Sequence, residues 1–188
     1  MEKEIYIILS NSGTVPGKLV SRMTHFYYSH VMLSLHPDCR EMYSFGRRSV
    51  RNFLNGGFVV EQPNGAFFTR FSETQCRILS LTVMQEQFQQ LERALDVFIS
   101  NAREYRYDFI GCGLRYFRLR KTFDQRYTCS HFVAEMLDCC EICRFPNGTM
   151  MARPEDFTKI PGVHTVYEGK LQDLNKTMIW DDRRINNV

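Results

Sequence analysis

The chain has 188 residues, 44% of them hydrophobic, enough to bury one core and too few to argue for two, so residues 1–188 read as a single domain. Its 24 Lys+Arg against 21 Asp+Glu leave a formal charge of +3. The basic side chains are scattered except over residues 115–126, so nothing calls for a nucleic-acid partner. Seven cysteines, an odd number without a regular framework, fit free thiols in a reducing compartment. The charged start and short apolar run of residues 1–10 lack the length of a signal peptide. No apolar stretch approaches the roughly 20 residues that cross a bilayer. The expectation is a cytoplasmic protein without an integral membrane segment.

Along the chain, Ile5, Ile7 and Leu9 alternate as in a half-buried strand, which the turn chemistry of residues 11–17 ends. Residues 29–35 place Val31, Leu33 and Leu35 on one face and His30, Met32 and Ser34 on the other. His36-Pro37-Asp38 turns the chain, and residues 41–46 return as the second strand of a hairpin, with Tyr43 and Phe45 on the face of Val31 and Leu33. If Leu35 pairs with Cys39, Ser44 lies opposite His30; a slip by one residue brings Tyr43 there instead.

Residues 58–60 and 74–83 read as further strands, separated by the turn signal Gln62-Pro63-Asn64-Gly65. Met84, Phe88, Leu91, Leu95, Phe98 and Ala102 recur at intervals of an amphipathic helix. Residues 105–119 are aromatic and basic with two glycines, and are expected to be partly helical. Thr128 is a good N-cap for a helix that buries Phe132, Val133, Met136, Leu137 and Cys140. Pro154 suits the start of a short helix to Lys159, and residues 163–167 read as a last strand before a polar tail.

That N-cap puts Cys129 in the first turn of a helix, where free backbone N–H groups and the positive end of the helix dipole stabilise a thiolate. The same amides can hold the oxyanion of a tetrahedral intermediate. The alternative is that Cys129 is a small buried residue, a common fate for cysteine. His30 on its strand is the candidate general base, against the alternative of a strand-edge histidine bonded to backbone. His131 lies about 200° around the helix from Cys129 and is a poor base for it. Cys139, Cys140 and Cys143 invite a zinc reading, but a second pair of ligands at suitable spacing is missing, so free thiols are expected and no metal or cofactor is implied. No phosphate-binding glycine motif is present. Arg115, Arg118, Arg120, Lys121 and Arg126 form either a solvated face or a lining for an anionic substrate.

In this order, the segments Ser29-His30-Val31-Met32-Leu33-Ser34-Leu35, Tyr43-Ser44-Phe45-Gly46-Arg47 and Tyr127-Thr128-Cys129-Ser130-His131-Phe132-Val133-Ala134-Glu135 resemble the permuted papain-fold enzymes of the NlpC/P60 superfamily, of the YiiX/YebB-like kind. Arg153-Pro154-Glu155-Asp156-Phe157 and Val166-Tyr167-Glu168-Gly169 resemble the closing segment of such proteins, so the likeness runs from about Ile5 to Leu171. The resemblance implies an α+β, circularly permuted papain-like domain whose antiparallel sheet packs against helices. It implies Cys129 as nucleophile, His30 as base and a third polar residue orienting the imidazole. Relatives often carry His, Glu or Asp on the second strand; here the candidates are Ser44 and Glu41. The implied activity is thiol-dependent hydrolysis or acyl transfer at an amide or ester bond of a small peptide, amide or lipid-acyl substrate. The rival of another class is a catalytically inactive binding module that keeps the fold.

Overall fold

The structure, a computed structural model, describes residues 1–14, 22, 26–49, 55–109, 111 and 124–174. Six strands form one antiparallel sheet: β1 (Glu2–Asn11), β2 (His30–Ser34), β3 (Met42–Arg47), β4 (Gly56–Glu61), β5 (Gln75–Met84) and β8 (His164–Lys170). Their order in space is β4-β3-β2-β1-β5-β8. Among the described residues, the α-helices whose bounds are complete are α1 (Ala66–Arg70), α2 (Gln85–Ser100) and α3 (Cys129–Cys139). A two-residue parallel ladder joins β6 (Arg106–Tyr107) to β7 (Arg126–Tyr127), and 3-10 turns occupy Thr149–Met151, Pro154–Lys159 and Leu171–Asp173. Among the described residues, no helix is long and apolar enough to cross a membrane. The architecture is α+β, as expected.

β1 departs from the expected half-buried strand, because every residue from Ile5 to Ser10 is buried. It pairs with β2 on one side and β5 on the other, and both faces of the sheet are covered. Ile5, Ile7 and Leu9 join Val31, Leu33, Phe45, Leu79 and Leu81 under α2 and α3. Ile8 joins Met32, Met42, Ile78, Phe68 of α1 and Leu171 on the reverse face. The alternation is real, but its second phase is apolar too, so a one-faced pattern does not describe it.

In α2, Leu91, Leu95 and Phe98 are buried as the periodicity requires. Met84 does not extend that stripe: it stands in the N-cap position and is 51% exposed. Phe98 stacks on Tyr105 with ring centroids 4.5 Å apart, and Phe45 lies 5.0 Å from Tyr127 and 5.3 Å from Phe132. This aromatic cluster locks the first turn of α3 against the β2–β3 end of the sheet. Burying one such ring contributes roughly 1.5–3 kcal/mol.

β6 takes only Arg106–Tyr107, and helix follows at Phe109 and Gly111, in line with the expectation that residues 105–119 are partly helical. Most of the rest of residues 105–119 lies outside the described residues, as do Arg115, Arg118, Arg120 and Lys121 of the basic run, residues 15–17 of the first turn and the polar tail from residue 175. The helix α1 was not foreseen; five residues hold too few periods to register. The segment from Pro154 to Lys159 is a 3-10 turn with Pro154 at its first position. The last strand forms next to β5 and is longer than the sequence pattern indicated.

Candidate active site

Thr128 leaves β7 in an extended conformation and caps α3, its Oγ1 accepting from the N–H of His131 at 3.3 Å. Phe132 N–H bonds to the Thr128 carbonyl at 3.0 Å. The first-turn amides of Cys129 and Ser130 have no intrahelical acceptor, by helix geometry. Two contacts hold this turn in place: Ser130 Oγ donates to the Ala152 carbonyl at 2.7 Å, and the Tyr127 carbonyl accepts from Asp108 N–H at 2.9 Å. Cys129, 5% exposed, therefore stands at a rigid helix start. This is where capping chemistry placed it.

The fold brings His30 to that thiol. His30 opens β2, paired with Ser10 of β1, and interacts with Cys129 both as a charge and as a hydrogen-bond partner. Burial by itself pushes the Cys129 thiol up, but the His30 charge and hydrogen bonds from the imidazole and the backbone N–H groups of Val31 and Ser130 bring it below the ordinary cysteine value. Burial likewise disfavours the His30 cation, yet the Cys129 thiolate, and after it Glu61, raise the imidazole well above its usual range. Each group thus favours the charged form of the other.

Glu61, the last residue of β4, sets its Oε2 3.6 Å from His30 Nε2, with side-chain exposures of 13% and 25%. That Oε2 is buried and has no hydrogen-bond partner among the described residues, so its field falls on the imidazole. With Nε2 turned to Glu61, Nδ1 is the nitrogen left for the thiol. Glu61 also lines a cavity of about 270 Å³ with Arg47, Val59, Phe67 and Phe68, so the carboxylate stands between the imidazole and an open pocket.

Neither expected third residue takes this place. Leu33 pairs with Tyr43, two residues out of step with the expected hairpin, because the loop runs longer and carries Cys39 at a φ of 51°. Continued at that register, Gly46 rather than Ser44 lies opposite His30. A Cβ on Gly46 would sit 3.7 Å from His30 Cε1 and 3.4 Å from Val59 Cγ2, in ordinary van der Waals contact, so this position lies directly against the ring. Ser44 is fully buried and donates its hydroxyl to the Val31 carbonyl at 2.6 Å. Glu41 is turned away, accepting from Tyr43 Oη at 2.9 Å and lying 3.9 Å from His36 Nε2. There it lines a separate polar cavity of about 680 Å³ against Glu92, Arg93 and Asp96 of α2.

Sequence alone did not mark Glu61, because it ends β4, outside the hairpin that carries His30. The available signal was its position: the end of a strand, in phase with Val59, just before the 62–65 turn. His131 lies 3.9 Å from Glu135 and packs its ring on Tyr127 at 4.7 Å. Cys139 and Cys140 approach with sulfurs 3.8 Å apart as free thiols. Among the described residues no three His, Cys, Asp or Glu side chains are grouped as a metal ion would need.

One further network fixes the approach to His30. Tyr28, 4% exposed, donates to Glu168 at 2.8 Å, and Arg77 grips the same carboxylate at 2.9 and 3.1 Å. Ser29 N–H bonds to the Ser10 carbonyl at 3.0 Å and Asn11 holds the Tyr27 carbonyl at 2.7 Å. The histidine thus enters β2 from a segment tied down at three consecutive residues. Compared with known proteins, the chain matches no protein-family model and no curated protein.

Proposed function

We propose that this protein is a thiol-dependent hydrolase or acyltransferase of the permuted papain type, acting on an amide or ester bond with Cys129 as nucleophile, His30 as proton carrier and Glu61 orienting the imidazole. The observation that carries the reading is that Cys129 and His30 are brought together as interacting partners, with Glu61 Oε2 3.6 Å from His30 Nε2. A structural cysteine needs neither partner. The chain order, strand histidine before helix cysteine, supports the permuted arrangement.

In this mechanism the Cys129 thiolate adds to the substrate carbonyl carbon, forming the C–S bond, while first-turn amides of α3 receive the oxyanion. The imidazolium of His30 then gives its proton to the leaving amine or alcohol as the C–N or C–O bond breaks, leaving a thioester on Cys129. His30, now neutral, takes a proton from water or an acceptor hydroxyl or amine. That nucleophile expels the sulfur and returns the ion pair. The test is a panel of acyl-amide, dipeptide and thioester substrates turned over by the native protein and by Cys129→Ala. Turnover abolished in the variant is expected; equal rates in both would refute the mechanism.

A further inference from the structure

The two backbone groups of Val31 have an unusual fate. The β2–β3 ladder is confined to Leu33 opposite Tyr43, although both strands continue and a ladder two residues longer would set Val31 opposite Phe45. In a strand, the N–H and C=O of one residue point to the same side and are exchanged together with the residue they face. The Val31 carbonyl instead accepts the Ser44 hydroxyl at 2.6 Å, so this side of Val31 faces β3. The Val31 N–H lies on that same side, and the Val31 backbone acts on the Cys129 sulfur as a hydrogen-bond partner. Buried backbone groups must be satisfied, and here two side chains do what a neighbouring strand would otherwise do.

We propose that Ser44 is a positioning residue that ends the β2–β3 ladder at Val31 and so reserves the Val31 N–H for the Cys129 sulfur. The inference rests on the reading of Cys129 as nucleophile and assigns the fully buried Ser44 a role other than partner of His30. With the hydroxyl present, the Val31 carbonyl has a donor without help from Phe45, and the strands part far enough for the thiolate to share the space. Without it, the carbonyl is either orphaned or drawn to the Phe45 N–H, which closes the ladder and takes the Val31 N–H from the sulfur.

The experiment follows iodoacetamide alkylation of Cys129 against pH in the native protein, Ser44→Ala and Ser44→Thr, read by mass spectrometry of the cysteine peptides. Loss of a hydrogen bond to a charged sulfur corresponds to about a tenfold slower reaction of Ser44→Ala at pH 6, with the rates converging at high pH where the thiol is ionised in both. Ser44→Thr, which keeps the hydroxyl, follows the native profile. In the native protein the Val31 amide proton resonance moves with the ionisation of Cys129, a readout that stands even where a variant does not fold. A Ser44→Ala profile superimposed on the native one, or a Val31 amide indifferent to Cys129, overturns the proposal while leaving the nucleophile in place. A native Cys129 that is inert at pH 6 removes the nucleophile itself.

Discussion

Replacing Glu61 by glutamine keeps the size and hydrogen-bonding reach of the side chain while removing its charge. At the 3.6 Å between Oε2 and Nε2, a unit charge pair is worth about 1 kcal/mol in bulk water and about 5 kcal/mol at an effective dielectric of about 20. The partial exposure of both groups places the real value between these limits, which corresponds to roughly one to three pH units in the titration of His30. The assay is an NMR titration of the His30 ring in the native protein and in Glu61→Gln, run beside Cys129 alkylation at pH 6. The expected result is a lower His30 midpoint and slower alkylation, since a less stable imidazolium supports less thiolate. An unchanged midpoint and rate would show that Glu61 does not act on the imidazole, and the three-residue site would be wrong.

Two further outcomes follow from the same geometry. His30 is raised from 6.5 and Cys129 lowered from 9.0; in the proposed ion pair, folding between those pH values moves one proton from sulfur to imidazole and takes up none overall. The pair's contribution to stability is therefore flat from pH 6.5 to 9.0. It declines below that window, where the unfolded histidine binds a proton, and above it, where the unfolded thiol loses one. Urea unfolding of the native protein and of the double variant His30→Ala/Cys129→Ala across pH should show this plateau in their difference; a difference that slopes through the window contradicts the ion pair. Separately, a Cβ at Gly57 would press on the Arg48 guanidinium and lie 2.6 Å from the Tyr105 carbonyl, which Arg48 holds together with that of Ala102. Gly57→Ala should lose about 1–3 kcal/mol of stability, read as a fall of several degrees in Tm; an unchanged Tm would mean the loop after α2 yields freely.

Much of this site was legible in residue order. Thr128 as cap, Cys129 in the first turn and His30 on a strand needed only capping chemistry and period-two alternation, and the structure places all three accordingly. What failed was the partner of His30, because strand register is set by the loop and not by the strands. The left-handed Cys39 lengthens the 35–41 connection by a step that propensity does not reveal, and a shift of two residues preserves every facing while changing every neighbour. Glu61 was hidden for a related reason: it comes from β4, whose place beside β3 is a property of sheet order. The two-sided burial of β1 was obscured by reading Ile5, Ile7 and Leu9 without Ile8.

The central claim, that Cys129 is an activated thiol, is tested most directly by competitive alkylation of the native protein with iodoacetamide at pH 6, with each cysteine quantified. Burial pushes Cys76 and Cys140 up to about 12 and raises Cys39, Cys139 and Cys143 as well, so these five should stay unmodified while Cys129 reacts. Labelling spread evenly over the cysteines, or reaching Cys129 last, would contradict the account.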